Sequence, residues 1–234
     1  MLFSGGLDSA VLVAVAAAGG DAVTDGDPPE RPPARTSKVA PIYVGVGFAW
    51  EKEEQAMAAR FLDALPMRDR LAPLVHLHFD MRDVFPSHHW AVRGEPPAFD
   101  TPDEDVFIDG RNVILLSKAA VYMARAGISR VAIGPLAGNP FPDATPEFFA
   151  AMARALSLGL AHPIGIEAPF ASLHKADVIR KAVALRVPLE LTLSCMQPSG
   201  GQHCGRCSKC RERRDAFREA GVEDPTPYRE APPR

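Results

Sequence analysis

No stretch of this chain is long and apolar enough to cross a bilayer. Its longest apolar run, residues 10–18, falls well short of the ~20 residues that a spanning helix requires. No basic segment precedes that run and a glycine-rich loop sits directly ahead of it, so a secretory leader is not expected and the cytoplasm is the expected compartment. Cysteine is scarce. The 234 residues hold four, all between positions 195 and 210, which excludes a disulfide framework spread over a secreted fold. Neither sign of charge is in excess: 26 Lys and Arg against 29 Asp and Glu leave a net −3, with no global pull toward nucleic-acid phosphates. The Gly-x-x-x-x-Gly-Lys-Ser/Thr signature of a Walker loop is missing, and so is any internal repeat.

What the chain does carry, 47% apolar and 24% charged residues, is enough for a buried core. Apolar patterning predicts a short buried strand at 2–3, a helix over 7–18 stopped by Gly19-Gly20, a strand at 39–46, a helix over 51–65 and a strand at 74–79. After a proline-rich loop at 86–105 come a helix over 112–125, a strand at 130–134, a helix over 146–157, a strand at 164–168 and helices over 175–185 and 208–220. Residues 20–38, rich in Pro, Gly, Asp and Arg, have no apolar period and are expected to form a mobile surface loop. Strands alternating with helices imply an α/β fold, an open parallel sheet with helices on both faces. Ligands of such sheets bind beyond the strand C-termini, so Phe3, residues 43–47, Phe79 and Gly134 are expected along one edge. The expected division is a large α/β domain over 1–193, a small helical unit carrying the four cysteines over 194–224 and a frayed tail over 225–234.

A strand running into Ser4-Gly5-Gly6-Leu7-Asp8-Ser9 and then into a helix is a design for phosphate. The glycines let backbone N–H groups converge, the helix start adds its positive end, and the Ser4 and Ser9 hydroxyls can donate. Asp8 faces phosphate comfortably only across a cation, which assigns it to Mg²⁺. At the other end, Cys195, Cys204, Cys207 and Cys210 offer four soft ligands in sixteen residues, the donor set of a closed, structural Zn²⁺ site; thiolates also hold iron–sulfur clusters. His76 and His78 alternate along a strand and share one face, His88 and His89 lie in the proline-rich loop, and His203 stands beside Cys204 as a competing ligand.

The loop hexapeptide resembles that of the PP-loop, or N-type, ATP pyrophosphatases, which adenylate a carbonyl or carboxylate, release pyrophosphate and admit a nucleophile. Only residues 1–3 precede the loop, against a fuller first strand in the family, so either that strand is very short or the native start lies upstream. Cys204-Gly-Arg-Cys207-Ser-Lys-Cys210-Arg-Glu-Arg, with Phe217 and Ala220-Gly221, resembles the C-terminus of the 7-cyano-7-deazaguanine synthase family. Gly110-Arg111-Asn112, Ile133-Gly134, Phe141-Pro142-Asp143, Lys175-Ala176-Asp177 and Pro188-Leu189-Glu190-Leu191-Thr192 are similar to it in the same order. The resemblance implies an adenine nucleotide alpha hydrolase-like fold and an ATP-dependent ligase that turns 7-carboxy-7-deazaguanine, a 7-deazapurine carboxylate, and ammonia into the nitrile precursor of queuosine.

Carried onto this chain, it implies ATP phosphates at residues 4–9 and zinc at the four cysteines. Arg111, Asn112 and Lys175 are candidates for neutralising charge during adenylation, with Asp8, Arg111 and Lys175 as the catalytic set. Tyr43 and Gly134 are expected beside the nucleotide, and a homodimer fits the family. Two segments depart. At 43–51 the chain lacks the family's Arg and His, and at 135–143 Pro135, Asn139, Pro140 and Phe141 stand in place of an Asn-rich, Asp-containing run. Phe48, Trp50 and Phe141 could stack on a flat heterocycle or pack in the core. A divergent paralogue acting on another carboxylate or on a protein acceptor, a tRNA sulfur transferase and a zinc-ribbon nucleic-acid binder are the other readings.

Overall fold

A computed structural model describes residues 1–19 and 38–231. The loop expected at 20–38 lies, apart from Lys38, outside the described residues, as does the end of the tail, 232–234.

The β-branched and aromatic run Ile-Tyr-Val forms strand β1 (Ile42–Gly45), which pairs in parallel with β2 (Val75–His78), Ile42 opposite Val75. Strand β3 (Arg130–Ala132) pairs in parallel with β4 (Gly165–Glu167). Leu2 joins the two pairs. It bridges Ile42 in parallel register and donates its N–H to the Ala132 carbonyl at 2.9 Å, while Phe3 N donates to Ile42 O at 2.9 Å and Ile42 N to Met1 O at 2.7 Å. Residues 1–3 are thus a very short central strand in the order β2, β1, 1–3, β3, β4. β1 is buried throughout, as a central parallel strand must be, whereas His76 and His78 of β2 face outward together.

The helices are α1 (Leu7–Ala17), α2 (Glu51–Ala64), α3 (Trp90–Arg93), α4 (Arg111–Ala126), α5 (Pro146–Leu160), α6 (Lys175–Ala184) and α7 (Ser208–Ala220). α1 is almost wholly apolar and packs on α6, which in turn packs on α7; their core includes Phe3, Leu12, Phe61, Ile179 and Phe217. α4 and α5 cover the opposite face of the sheet around Leu116, Met123, Val131 and Phe149. No described helix is long and apolar enough to cross a membrane.

The sequence-predicted elements all appear, with three corrections to the expectations. The strand expected at 39–46 is shorter because Pro41, which has no N–H to give, interrupts the ladder; Val39 makes only an isolated bridge to Leu71. The proline-rich stretch 86–105 is not all loop: His89 Nδ1 accepts from the Ala91 N–H and starts α3, which Gly94 ends with φ +73°. The tail is not frayed over its described part either. His203 N donates to Pro227 O at 2.9 Å, Arg229 N donates to His203 O at 2.7 Å, and Gly205 (φ +82°) passes so close to the Glu230 carbonyl that a Cβ would collide with it.

One side chain locks the C-terminal unit. Arg213 of α7, 1% exposed, donates to Thr226 Oγ1 (2.5 Å), Thr192 Oγ1 (2.8 Å), Ser194 Oγ (3.4 Å) and the Leu189 carbonyl (2.8 Å). Its guanidinium also stands 3.9 Å from Asp224 and 5.2 Å from the centre of the Phe217 ring. Five separate points on the chain are therefore pinned to one buried charge.

Candidate functional site

The sheet's C-terminal edge opens into a cavity of about 250 Å³. Its floor is the loop 4–9, where the hydroxyls of Ser4 and Ser9 lie 3.2 Å apart, Ser9 Oγ accepts from Ser4 N–H at 3.2 Å and donates to Gly6 O at 3.0 Å, and Gly6 N donates to Ser4 Oγ at 3.2 Å. Helix α1 begins at Gly6 with no side-chain cap, so its first-turn N–H groups are left for a ligand. Gly5 takes φ +78°, and a Cβ there would press on Ala58 of α2; this close approach of loop and helix is what the glycine permits. Leu193 N donates to Gly5 O at 2.8 Å and ties the loop to the segment before the cysteines.

Asp8 lines the cavity. Its Oδ2 is 3.3 Å from Lys175 Nζ, while Oδ1 is buried without a hydrogen-bond partner. Burial raises its carboxyl above the ordinary range despite Lys175, so the anion there is short of positive charge. Burial also opposes the charge on Lys175, but Asp8 and Glu212 outweigh it and hold the ammonium form above the usual lysine range. Lys175 Nζ also bonds Glu212 of α7, whose other oxygen takes Lys209 at 2.7 Å.

Across the cavity, Gly110 (φ +71°) turns the chain into α4, and its first residues Arg111 and Asn112 point inward. Asp143 fixes that helix start: its Oδ2 accepts from Asn112 N at 3.0 Å, and Asn112 Nδ2 donates to Asp143 O at 3.0 Å and Oδ1 at 3.3 Å. Arg111 Nε is buried and unpartnered. Glu54 of α2 also lines the cavity and accepts from the Tyr43 hydroxyl at 2.7 Å. Burial pushes the Glu54 carboxyl up to about 7, against the pull of Arg111 and of that hydroxyl. Phe107 and Phe141 stack with ring centres 5.2 Å apart and form an aromatic stretch of wall.

The four cysteines are buried, with their sulfurs all within 4.8 Å of one another. Cys207 and Cys210 Sγ are 3.5 Å apart and Cys204 and Cys210 Sγ 3.9 Å, against about 3.8 Å between sulfurs that each sit about 2.3 Å from one tetrahedral ion. Backbone N–H groups of Cys204 (3.2 Å) and Gln197 (3.3 Å) point at Cys195 Sγ, and that of Arg206 (3.3 Å) at Cys204 Sγ, offsetting the charge of thiolates. The donor set fits a single metal ion. His203 is not part of it: its Nε2 meets the Thr192 carbonyl at 3.1 Å, and burial lowers its pKa to about 4.

Of the residues nominated from sequence, Ser4, Gly6, Asp8, Ser9, Tyr43, Arg111, Asn112 and Gly134 line the one cavity, and Lys175 reaches Asp8 from behind. Gly5 and Leu7 shape the loop from beneath, Leu7 within the core. Phe48 and Trp50 are core residues, Trp50 stacking on Trp90 at 5.6 Å, and of the three aromatic candidates only Phe141 meets the cavity. Glu54, Phe107 and Glu212 escaped the sequence reading. Glu54 had a signal: it sits on the same helical face as Met57, Ala58, Phe61 and Leu62, and a carboxylate on an apolar stripe has a reason to be there.

The family model described as queuosine biosynthesis protein QueC matches residues 52–221. A 7-cyano-7-deazaguanine synthase of Methanothrix thermoacetophila is 32% identical over 235 residues, covering 97% of this chain and 96% of that protein. Another of that name, from Methanoculleus marisnigri, is 42% identical over 126 residues, 52% of this chain and 56% of the relative. Among solved structures, the U34-tRNA thiolase NcsA from Methanococcus maripaludis with its [4Fe-4S] cluster aligns over 96% of this chain and 72% of its own, at 13% identity and a TM-score of 0.42. By the family match and the full-length relative together, the chain belongs to the queuosine biosynthesis QueC family.

Proposed function

We propose that this protein is an ATP-dependent ligase that activates 7-carboxy-7-deazaguanine by adenylation and reacts it with ammonia to give 7-cyano-7-deazaguanine. The observation that carries the reading is the convergence of the glycine-rich loop, Arg111 and Asn112 on one cavity of a chain whose relatives bear that activity in their names. A carboxylate is a poor electrophile until one of its oxygens can leave. Carboxylate oxygen attacks the α-phosphorus of ATP and pyrophosphate departs; ammonia then attacks the activated carbon and AMP departs with that oxygen. Two oxygens are lost between carboxylate and nitrile, so an amide is the expected intermediate and a second activation removes its oxygen.

In this reading the backbone of residues 4–9 and the start of α1 hold the phosphates, with Ser4 and Ser9 completing the cradle. Asp8, which has one oxygen without a partner, would hold Mg²⁺, and that ion would supply positive charge against the phosphates. Arg111, whose Nε has no partner, and Lys175 offset negative charge at the reacting phosphate. Asn112 orients the α4 start through Asp143, Tyr43 and Gly134 border the nucleotide, and the Phe107–Phe141 wall gives a flat base a stacking face. Cys195, Cys204, Cys207 and Cys210 hold Zn²⁺ as a closed structural site. A [4Fe–4S] cluster would seat each thiolate on a different iron and spread the sulfurs wider than one shared ion does.

The test supplies ATP, ammonia and 7-carboxy-7-deazaguanine and follows nitrile, amide and AMP by mass spectrometry. ATP binding with no turnover of this carboxylate would refute the substrate. One observation favours a second acceptor in that event. The segment 43–51 gives only Tyr43 and Val44 to the cavity, because Glu51 turns back onto the Val46 and Gly47 N–H groups while Phe48 and Trp50 enter the core. That acceptor would be a different carboxylate or a protein amine, reached by the same ATP chemistry.

A further inference from the structure

Asp8 in the phosphate loop and Glu212 in α7 lie on two sides of a single ammonium group. Lys175 Nζ is 3.3 Å from Asp8 Oδ2 and also bonds Glu212 Oε1; Lys209 Nζ holds Glu212 Oε2 at 2.7 Å. Two carboxylates and two ammonium groups therefore alternate, and the row is neutral. Only Asp8 borders the cavity, with Oδ1 buried and unpartnered. Glu212 is set rigidly: it lies in the first turns of α7, two residues past Cys210, on a helix whose N-cap is Cys207.

We propose that Glu212 is a positioning residue that sets the cation affinity of the phosphate loop, by sharing Lys175 with Asp8 so that Asp8 keeps net negative charge toward the cavity. This rests on the reading of residues 4–9 as the triphosphate loop. Lys175 is pulled two ways. Remove the Glu212 charge and its ammonium belongs to Asp8 alone. A divalent cation arriving at Asp8 then meets a neutral pair instead of an anion, while a triphosphate arriving without a cation meets one more positive charge. The two affinities must move in opposite directions. Loosening of α7 would weaken both together.

The experiment measures ATP binding by calorimetry on the full, metal-loaded chain, across a Mg²⁺ series that starts from magnesium-free buffer without chelator. For Glu212→Gln the Mg²⁺ concentration giving half-maximal ATP binding is expected to rise about tenfold and magnesium-free ATP binding to tighten about threefold, with Glu212→Asp restoring both. Lys209→Met, which leaves Glu212 entirely to Lys175, is expected to lower the Mg²⁺ requirement. Loss of both affinities in Glu212→Gln, no change in either, or a raised requirement in Lys209→Met overturns the proposal. A wild-type chain that binds no ATP at any Mg²⁺ concentration overturns it together with the loop reading, a result separable from the others.

Discussion

Replacing Glu54 by Gln tests whether the cavity wall holds an uncharged carboxyl at neutral pH. The side chain is 8% exposed and accepts from the Tyr43 hydroxyl at 2.7 Å, with the Arg111 charge favouring its ionised form. Burial lifts its pKa from the ordinary 4.5 to about 7. A folded-state pKa raised above the unfolded one means that the folded chain binds the proton more tightly. The stability this contributes is fully present below pH 4.5 and is lost as pH rises through about 7. At about 1.4 kcal/mol per pH unit, the loss over that window is about 3 kcal/mol. Gln keeps the acceptor for Tyr43, has nearly the same shape and cannot ionise. The difference in unfolding free energy, variant minus wild type, should therefore climb by about 3 kcal/mol between roughly pH 5 and pH 8. Urea unfolding followed through Trp50 and Trp90, at steps of half a pH unit, reads that difference directly. Parallel stability curves for the two proteins would refute the reasoning, because they would mean that Glu54 is ionised in the folded chain throughout.

Three further outcomes are expected. Gly205→Ala forces a Cβ into the Glu230 carbonyl at a backbone φ of +82°, so it should cost more than about 1 kcal/mol and expel residues 226–231 from the knuckle, seen as lowered thermal stability and new protease cuts in the tail. Arg213→Met removes a donor shared by Thr192, Thr226 and the Leu189 carbonyl and the cation beside half-buried Asp224, and should destabilise the chain by more than about 2 kcal/mol, measured as the shift in urea midpoint. Elemental analysis of the purified chain should find one zinc per chain, lost in Cys210→Ser; iron with acid-labile sulfide in its place would establish a cluster.

Elements that rest on local patterning were legible in the sequence. Helix α7 falls on the residues expected of it, 208–220, because a cysteine knuckle precedes it and Gly221, at φ +68°, ends it. Helices α2 and α4 differ from expectation by a residue at their ends, where the last turn has no periodicity to read. The order of the sheet was not legible beyond its being parallel. That order depends on Leu2 entering between β1 and β3, a long-range pairing that two residues of sequence cannot announce. Helix α3 hid among prolines because its start is made by a histidine side chain rather than by the usual Ser, Thr, Asp or Asn.

For the site, the division is physical in the same way. Backbone-driven chemistry shows in sequence because glycine has no substitute: the loop 4–9 could be located from residue type, and the turn at Gly110 through the family resemblance. Cysteine spacing shows for the same reason, since four thiols within sixteen residues have few other uses. Glu54, Asp143 and Glu212 act instead through partners 11, 31 and 37 residues away, Tyr43, Asn112 and Lys175. Each is an ordinary helix or turn acid until the fold brings its partner to it. The two segments that depart from the family show how far this goes. At 43–51 a single carboxylate, Glu51, satisfies two of the segment's own N–H groups, so the chain there stabilises itself instead of reaching into the cavity. At 135–143 the chain does the reverse: Pro135, Asn139 and Phe141 become wall and Asp143 anchors the helix that carries Arg111. Under the proposed ligase reading, substrate choice turns on the second segment, and exchanging 135–141 should alter which carboxylate is activated while leaving ATP binding at the loop intact.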